Sequence, residues 1–130
     1  MGHPQMFDDD DPVLARVTAI CLDLPQSSMK ISHGRPAFFT KKVFTYYGGS
    51  LKVEGVWVEH PRSIMLLPDL EDAEALAQDP RAWVPAYLGA HGWLGIDLVG
   101  DVDWDEVREL VEGSYLRTAP SAAMRQLRAR

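Results

Sequence analysis

The chain has 130 residues, of which 46% are hydrophobic and 25% charged, and a formal net charge of −6. That is enough chain for one ordinary core, and the composition is neither disordered nor fibrous. The single cysteine, Cys21, excludes an internal disulfide, and the acidic balance argues against a whole-surface attraction to nucleic acid or anionic lipid.

Residues 1–11 contain no basic segment followed by an apolar one, and no apolar run reaches membrane-spanning length. A cytoplasmic protein without membrane contact is therefore expected. Residues 1–10, including the first acids of the Asp8-Asp9-Asp10-Asp11 run, read as a flexible acidic tail, and residues 11–130 as a single domain.

Asp11-Pro12 has the form of a helix N-cap with proline in the first turn. Val13, Val17, Ile20 and Leu24 follow at helical spacing, with Leu14 and Cys21 widening the stripe until Pro25 ends it. The period then changes. Residues 29–67 are rich in β-formers, among them Phe38, Phe39, Val43, Phe44, Tyr46, Tyr47, Val56, Trp57, Val58, Ile64 and Leu66, and are cut by Gly34-Arg35-Pro36, Gly48-Gly49 and His60-Pro61-Arg62. Four antiparallel strands are expected there. The turn between Phe39 and Val43 lacks a glycine or asparagine for positive φ, which leaves its register open, but either register projects a basic residue from the tip.

Pro68-Asp69 opens a short helix through Ala73, Ala75 and Leu76 that ends before Pro80. Residues 93–99 return as a strand, with Trp93 expected to cover the inner end of the following helix. That helix begins with Asp103 and Glu106 at capping-box spacing and turns Trp104, Val107, Leu110, Val111 and Ser114 inward. Ala119-Pro120-Ser121 starts a terminal helix. The sum is an α+β fold: an antiparallel sheet of about five strands, an N-terminal helix, and C-terminal helices on one face.

Two surfaces carry functional expectations. Residues 26–53 hold Lys30, Arg35, Lys41, Lys42 and Lys52 and no acid. Gathered at one sheet edge, these five would neutralise a few phosphates, and an exposed Tyr46 or Tyr47 would stack on unpaired bases. Weak, sequence-nonspecific DNA binding is the corresponding function, since phosphate contacts position a protein without reading bases. The alternative is a protein-interaction or small-ligand module on the concave sheet, with Tyr87, His91 and Trp93 at a pocket rim. His91 in its glycine-flanked turn would serve such a pocket as donor or base.

No nucleophile elbow, zinc-protease helix or phosphate-cradling glycine loop is present, so neither an enzymatic activity nor a catalytic residue is expected. The acids at Asp8 to Asp11 and at Asp69, Glu71, Asp72 and Glu74 lack calcium-loop spacing, and no metal or cofactor is expected. Pairing of an exposed sheet edge with a second copy, giving a homodimer, is left open.

Several short stretches resemble the MmcQ/YjbR family. Gly34-Arg35-Pro36-Ala37-Phe38 is similar to its Gly-x-Pro lead into a strand, and Lys42-Val43-Phe44-Thr45 to its second strand. Leu67-Pro68-Asp69, followed by Pro85-Ala86-Tyr87 and His91-Gly92-Trp93, resembles the family's Leu-Pro-helix-Pro-x-Tyr passage to a tryptophan, and Ser114-Tyr115 with Ala119-Pro120 its long-helix end. Thr40-Lys41 stands where the family usually has glycine, and residues 48–63 form a longer segment than usual, implying a longer second hairpin. The resemblance implies a frataxin-like (CyaY-like) fold for the domain at 11–130, and double-wing DNA binding in which β-hairpins meet the duplex.

Overall fold

Asp11 starts the first helix as its sequence suggests: its carboxylate accepts the Val13 N–H at 2.9 Å, ahead of Pro12 in the first turn. In the computed structural model, which describes residues 4–130, α1 (Pro12–Leu22) leads into β1 (Ser28–Ser32), β2 (Arg35–Phe39), β3 (Val43–Val53) and β4 (Val56–Leu66). A short α2 (Ala73–Ala77) and β5 (Ala82–Trp83) follow, then a 3-10 turn (Leu88–His91), β6 (Leu94–Asp97), α3 (Trp104–Thr118) and α4 (Ser121–Arg128). The strands form one six-stranded antiparallel sheet in the order β1-β2-β3-β4-β6-β5. The sixth strand, beyond the about five expected, is the two-residue β5.

Residues directly opposite one another in neighbouring strands share a face, so the register separates the sheet's two sides. Phe38 opposite Thr45, Thr45 opposite Leu66, Tyr47 opposite Ile64 and Ile64 opposite Ile96 define one face. Here the core is buried against Leu14, Val17, Ile20 and Cys21 of α1, Val107, Val111 and Tyr115 of α3, and Ala123 of α4. Burial pushes the Cys21 thiol pKa far up. Ser114 explains how a hydroxyl belongs on the inward face of α3: it donates to the Phe44 carbonyl at 2.6 Å and accepts the Leu67 N–H at 2.9 Å.

Among the described residues the helices of the core, α1, α3 and α4, all pack on that first face and leave the opposite one open. Ala37 opposite Tyr46, Tyr46 opposite Met65, Met65 opposite Gly95 and Trp83 opposite Gly95 mark it. The β3–β4 hairpin outruns its neighbours: β2 pairs with β3 only as far as Tyr46 and β6 with β4 only as far as Ser63, yet the hairpin continues to Val53 opposite Val56. This projecting half lies within residues 48–63.

Residues 4–10, expected as part of a flexible tail, touch the domain at two points. Met6 N–H donates to the Gly34 carbonyl at 2.8 Å, and Phe7 packs against the core. Two apolar side chains anchor an otherwise acidic segment. The remainder of that expectation, residues 1–3, lies outside the described residues.

Candidate functional site: a cavity on the open face

After β5 the chain crosses the open face and docks where Ala86 N–H donates to the Ser50 carbonyl at 3.1 Å. Tyr87, next in sequence, takes φ +63 and ψ −60 with its side chain in the open and the residue 80% exposed. Such a conformation is costly for a residue with a side chain and recurs at binding sites. Between this crossing segment, the projecting hairpin and the docked Met6 lies a cavity of about 600 Å³.

Tyr46, Gly49 and Met65 line it from the sheet, Trp57 from the hairpin, and Tyr87 and Leu88 from the crossing segment. The Trp57 and Tyr87 rings approach to 6.3 Å between centroids, and Lys52 Nζ lies 5.2 Å over the Trp57 ring. Burial raises the pKa of Tyr46, so its hydroxyl stays a neutral donor and acceptor.

The polar wall is made by Ser32, His33, Arg35, Ser50 and Glu59. Arg35 Nη2 donates to Glu59 Oε2, with side-chain exposures of 10% and 46%. The guanidinium reaches β4 by crossing β3 at Gly48, where a Cβ would lie 2.5 Å from Nη1. Ser32 Oγ and His33 Nδ1, chain neighbours at the β1–β2 turn, meet at 3.2 Å.

Beside the cavity, on the same face, Trp83 stacks on His60 at 4.3 Å and 18°, and His60 Nδ1 is 2.7 Å from Asp97 Oδ1. The strand carrying Trp83 is held by Arg81, whose guanidinium bonds Asp79 at 2.8 Å and Glu106 of α3 at 2.7 Å. The Arg81 side chain and, secondarily, its backbone N–H hold the Asp79 carboxyl at about 2.

The basic stretch is taken apart by the fold. Lys30 lies 4.9 Å over the Phe39 ring, near the turn that exposes Lys41 and Lys42. Lys52 is at the far end of β3, roughly 30 Å from Lys42 at the rise of an extended strand. Arg35 is buried, ion-paired with Glu59 and on the wall of the cavity. Tyr47 is not a stacking surface, being buried with its hydroxyl donating to Asp11.

Of the three rim residues, Tyr87 is on the wall. Trp93 stands one layer behind, 5.7 Å from Tyr46, and His91 is exposed and off the wall. Trp93 therefore does not cover α3. Trp57, Glu59, Met65 and Met6 were not marked as site residues by the sequence reading. Among the described residues, no group of three or more His, Cys, Asp or Glu could hold a metal ion, and no helix is long and apolar enough to cross a membrane.

No curated protein matches the sequence. A solved protein from Pseudomonas syringae is similar at TM-score 0.53 and 16% identity, covering 71% of this chain and 86% of that one. A Deinococcus radiodurans protein with a DUF419 domain is similar at TM-score 0.58 and 19% identity, covering 84% of this chain and 80% of that one. At these identities the likenesses show a shared fold. The YjbR family model matches residues 22–117, well over half of the chain, and the chain belongs to the YjbR family.

Proposed function

We propose that this protein is a non-enzymatic binding module that takes a small organic ligand in the open-face cavity. The observation that carries this reading is the cavity's size and lining: about 600 Å³, walled by aromatic and thioether side chains with a few polar groups among them. Small-molecule sites have this volume and this mixture. The strained, exposed Tyr87 beside Trp57 supports it, because a fold tolerates such a residue where a site uses it.

DNA binding, which the family resemblance implies, has a smaller footprint. Lys30, Lys41 and Lys42 remain together at one end of the sheet and would engage about three phosphates, giving a salt slope no steeper than about −3. The acidic net charge of −6 opposes even that.

The test is a titration of isotope-labelled protein with 2-naphthamide, a neutral flat probe. Backbone amide shifts confined to Ser50, Trp57, Ala86 and Tyr87, and lost in Ser50→Trp, which fills the cavity, are expected. Shifts scattered over the molecule, or unchanged in Ser50→Trp, would refute the reading.

A further inference from the structure

We infer that the ligand of this cavity is a monocarboxylate on a flat apolar body, with Arg35 as its anchor and Glu59 as the carboxylate it displaces. The inference rests on the cavity reading above and assigns the ligand's chemical class. Its first support is the inequality between the paired charges. The Arg35 side chain is 10% exposed and fixed between β2 and Gly48, whereas Glu59 is 46% exposed on the projecting hairpin. Glu59 can turn to water at little cost, while Arg35 cannot leave and needs an anion beside it.

A guanidinium carries five N–H donors in a planar fork, and Glu59 engages Arg35 through Nη2 alone. Arg35 therefore keeps donors that Glu59 does not use, and Glu59 marks where a carboxylate partner sits. The remainder of the cavity selects the body attached to it. Tyr46 and Met65 form a floor and the Trp57–Tyr87 pair an aromatic side, an arrangement suited to a flat ring. Among the described residues Arg35 is the one Lys or Arg on the wall, and one fixed cation favours a monoanion over a phosphate dianion. Lys52, the next cation, is committed to the face of Trp57.

Calorimetric titration with 2-naphthoate and with its neutral isostere 2-naphthamide tests the inference. Wild type is expected to prefer naphthoate by at least about tenfold, the difference between a charge-assisted pair and a neutral one. Glu59→Gln removes the competing carboxylate and is expected to tighten naphthoate severalfold while leaving naphthamide unchanged. Arg35→Gln is expected to erase the preference. Equal affinity for the two probes, both still excluded by Ser50→Trp, would overturn the carboxylate inference and leave the cavity reading standing. Binding of neither probe would overturn both. A preference that survives Arg35→Gln removes Arg35 as the anchor. Should that variant fail to fold, Glu59→Gln decides alone, and weaker naphthoate binding there would overturn the proposal.

Discussion

Arg35 on β2 and Glu59 on β4 are ion-paired across an intervening strand, over the backbone of Gly48 on β3. The pair closes one side of the cavity and ties the projecting hairpin to the sheet. Because its two ends differ in exposure, it contributes less than a buried pair and more than a surface one. A double-mutant cycle with Arg35→Ala and Glu59→Ala, followed by urea unfolding, is expected to give a coupling of about 1–2 kcal/mol. A coupling indistinguishable from zero would mean that the hairpin is held by other contacts.

Trp83 lies flat on Gly95, where a Cβ would be 2.1 Å from the indole Cε2. A methyl group there must push the indole away from the sheet and disturb its stacking on the His60 ring. Gly95→Ala is expected to cost about 1–3 kcal/mol, in the range of overpacked core sites, read as a lowered melting temperature. An unchanged melting temperature would show that the indole has room to move.

Tyr47 donates its hydroxyl to Asp11, the residue that also caps α1, so one carboxylate joins the first helix to the middle strand. Tyr47→Phe is expected to cost about 1–3 kcal/mol by leaving part of a buried carboxylate unpaired. Burial first, and then Asp11, push the Tyr47 pKa far up. A raised folded-state value means stabilisation that is complete below the unfolded tyrosine value of about 10 and is lost as pH rises beyond it. The melting temperature of wild type is therefore expected to fall above about pH 10 by more than that of Tyr47→Phe. Parallel curves would contradict the assignment.

Asp79 carries the corresponding acid-side effect. Its carboxyl is held at about 2 against the ordinary 3.8 by the Arg81 hydrogen bonds. A depressed value contributes stability above the unfolded pKa that is lost as pH falls through the folded one. Asp79→Asn is expected to lower stability at neutral pH by no more than about 1 kcal/mol, since the pair is partly exposed. The difference from wild type should close between pH 3.8 and pH 2. A difference that persists to pH 2 would point to side-chain geometry rather than charge.

Helix starts were the most legible features, because Asp11 and Asp103 accept N–H groups of their own first turns, although the Glu106 carboxylate goes to Arg81 rather than back to Asp103. Period 2 also held, and it could have placed Trp93: Leu94 and Ile96 face the core through Leu66 and Ile64, so Trp93 belongs with Gly95 on the other side. Strand β5 was missed because two residues cannot show a period. A run of basic residues in sequence does not say how far apart they stand: Lys42, just before β3, and Lys52, near its end, are separated by roughly 30 Å at the rise of an extended strand. Most of the cavity was hidden for a different reason. Glu54-Gly55 is the hairpin turn that sets Lys52 opposite Trp57 and Ser50 opposite Glu59, and no pattern in the chain shows that residues 84–88 fold back across that hairpin. Tyr87 was legible, but what it faces depends on the tertiary fold.

The most direct test of the cavity as the functional site is a crystal structure of the protein soaked with 2-naphthoate. The ring is expected between Tyr46, Met65, Trp57 and Tyr87, with the carboxylate on Arg35 and Glu59 turned to solvent. A probe found only outside the cavity, or a cavity closed by the protein's own side chains, would contradict the account.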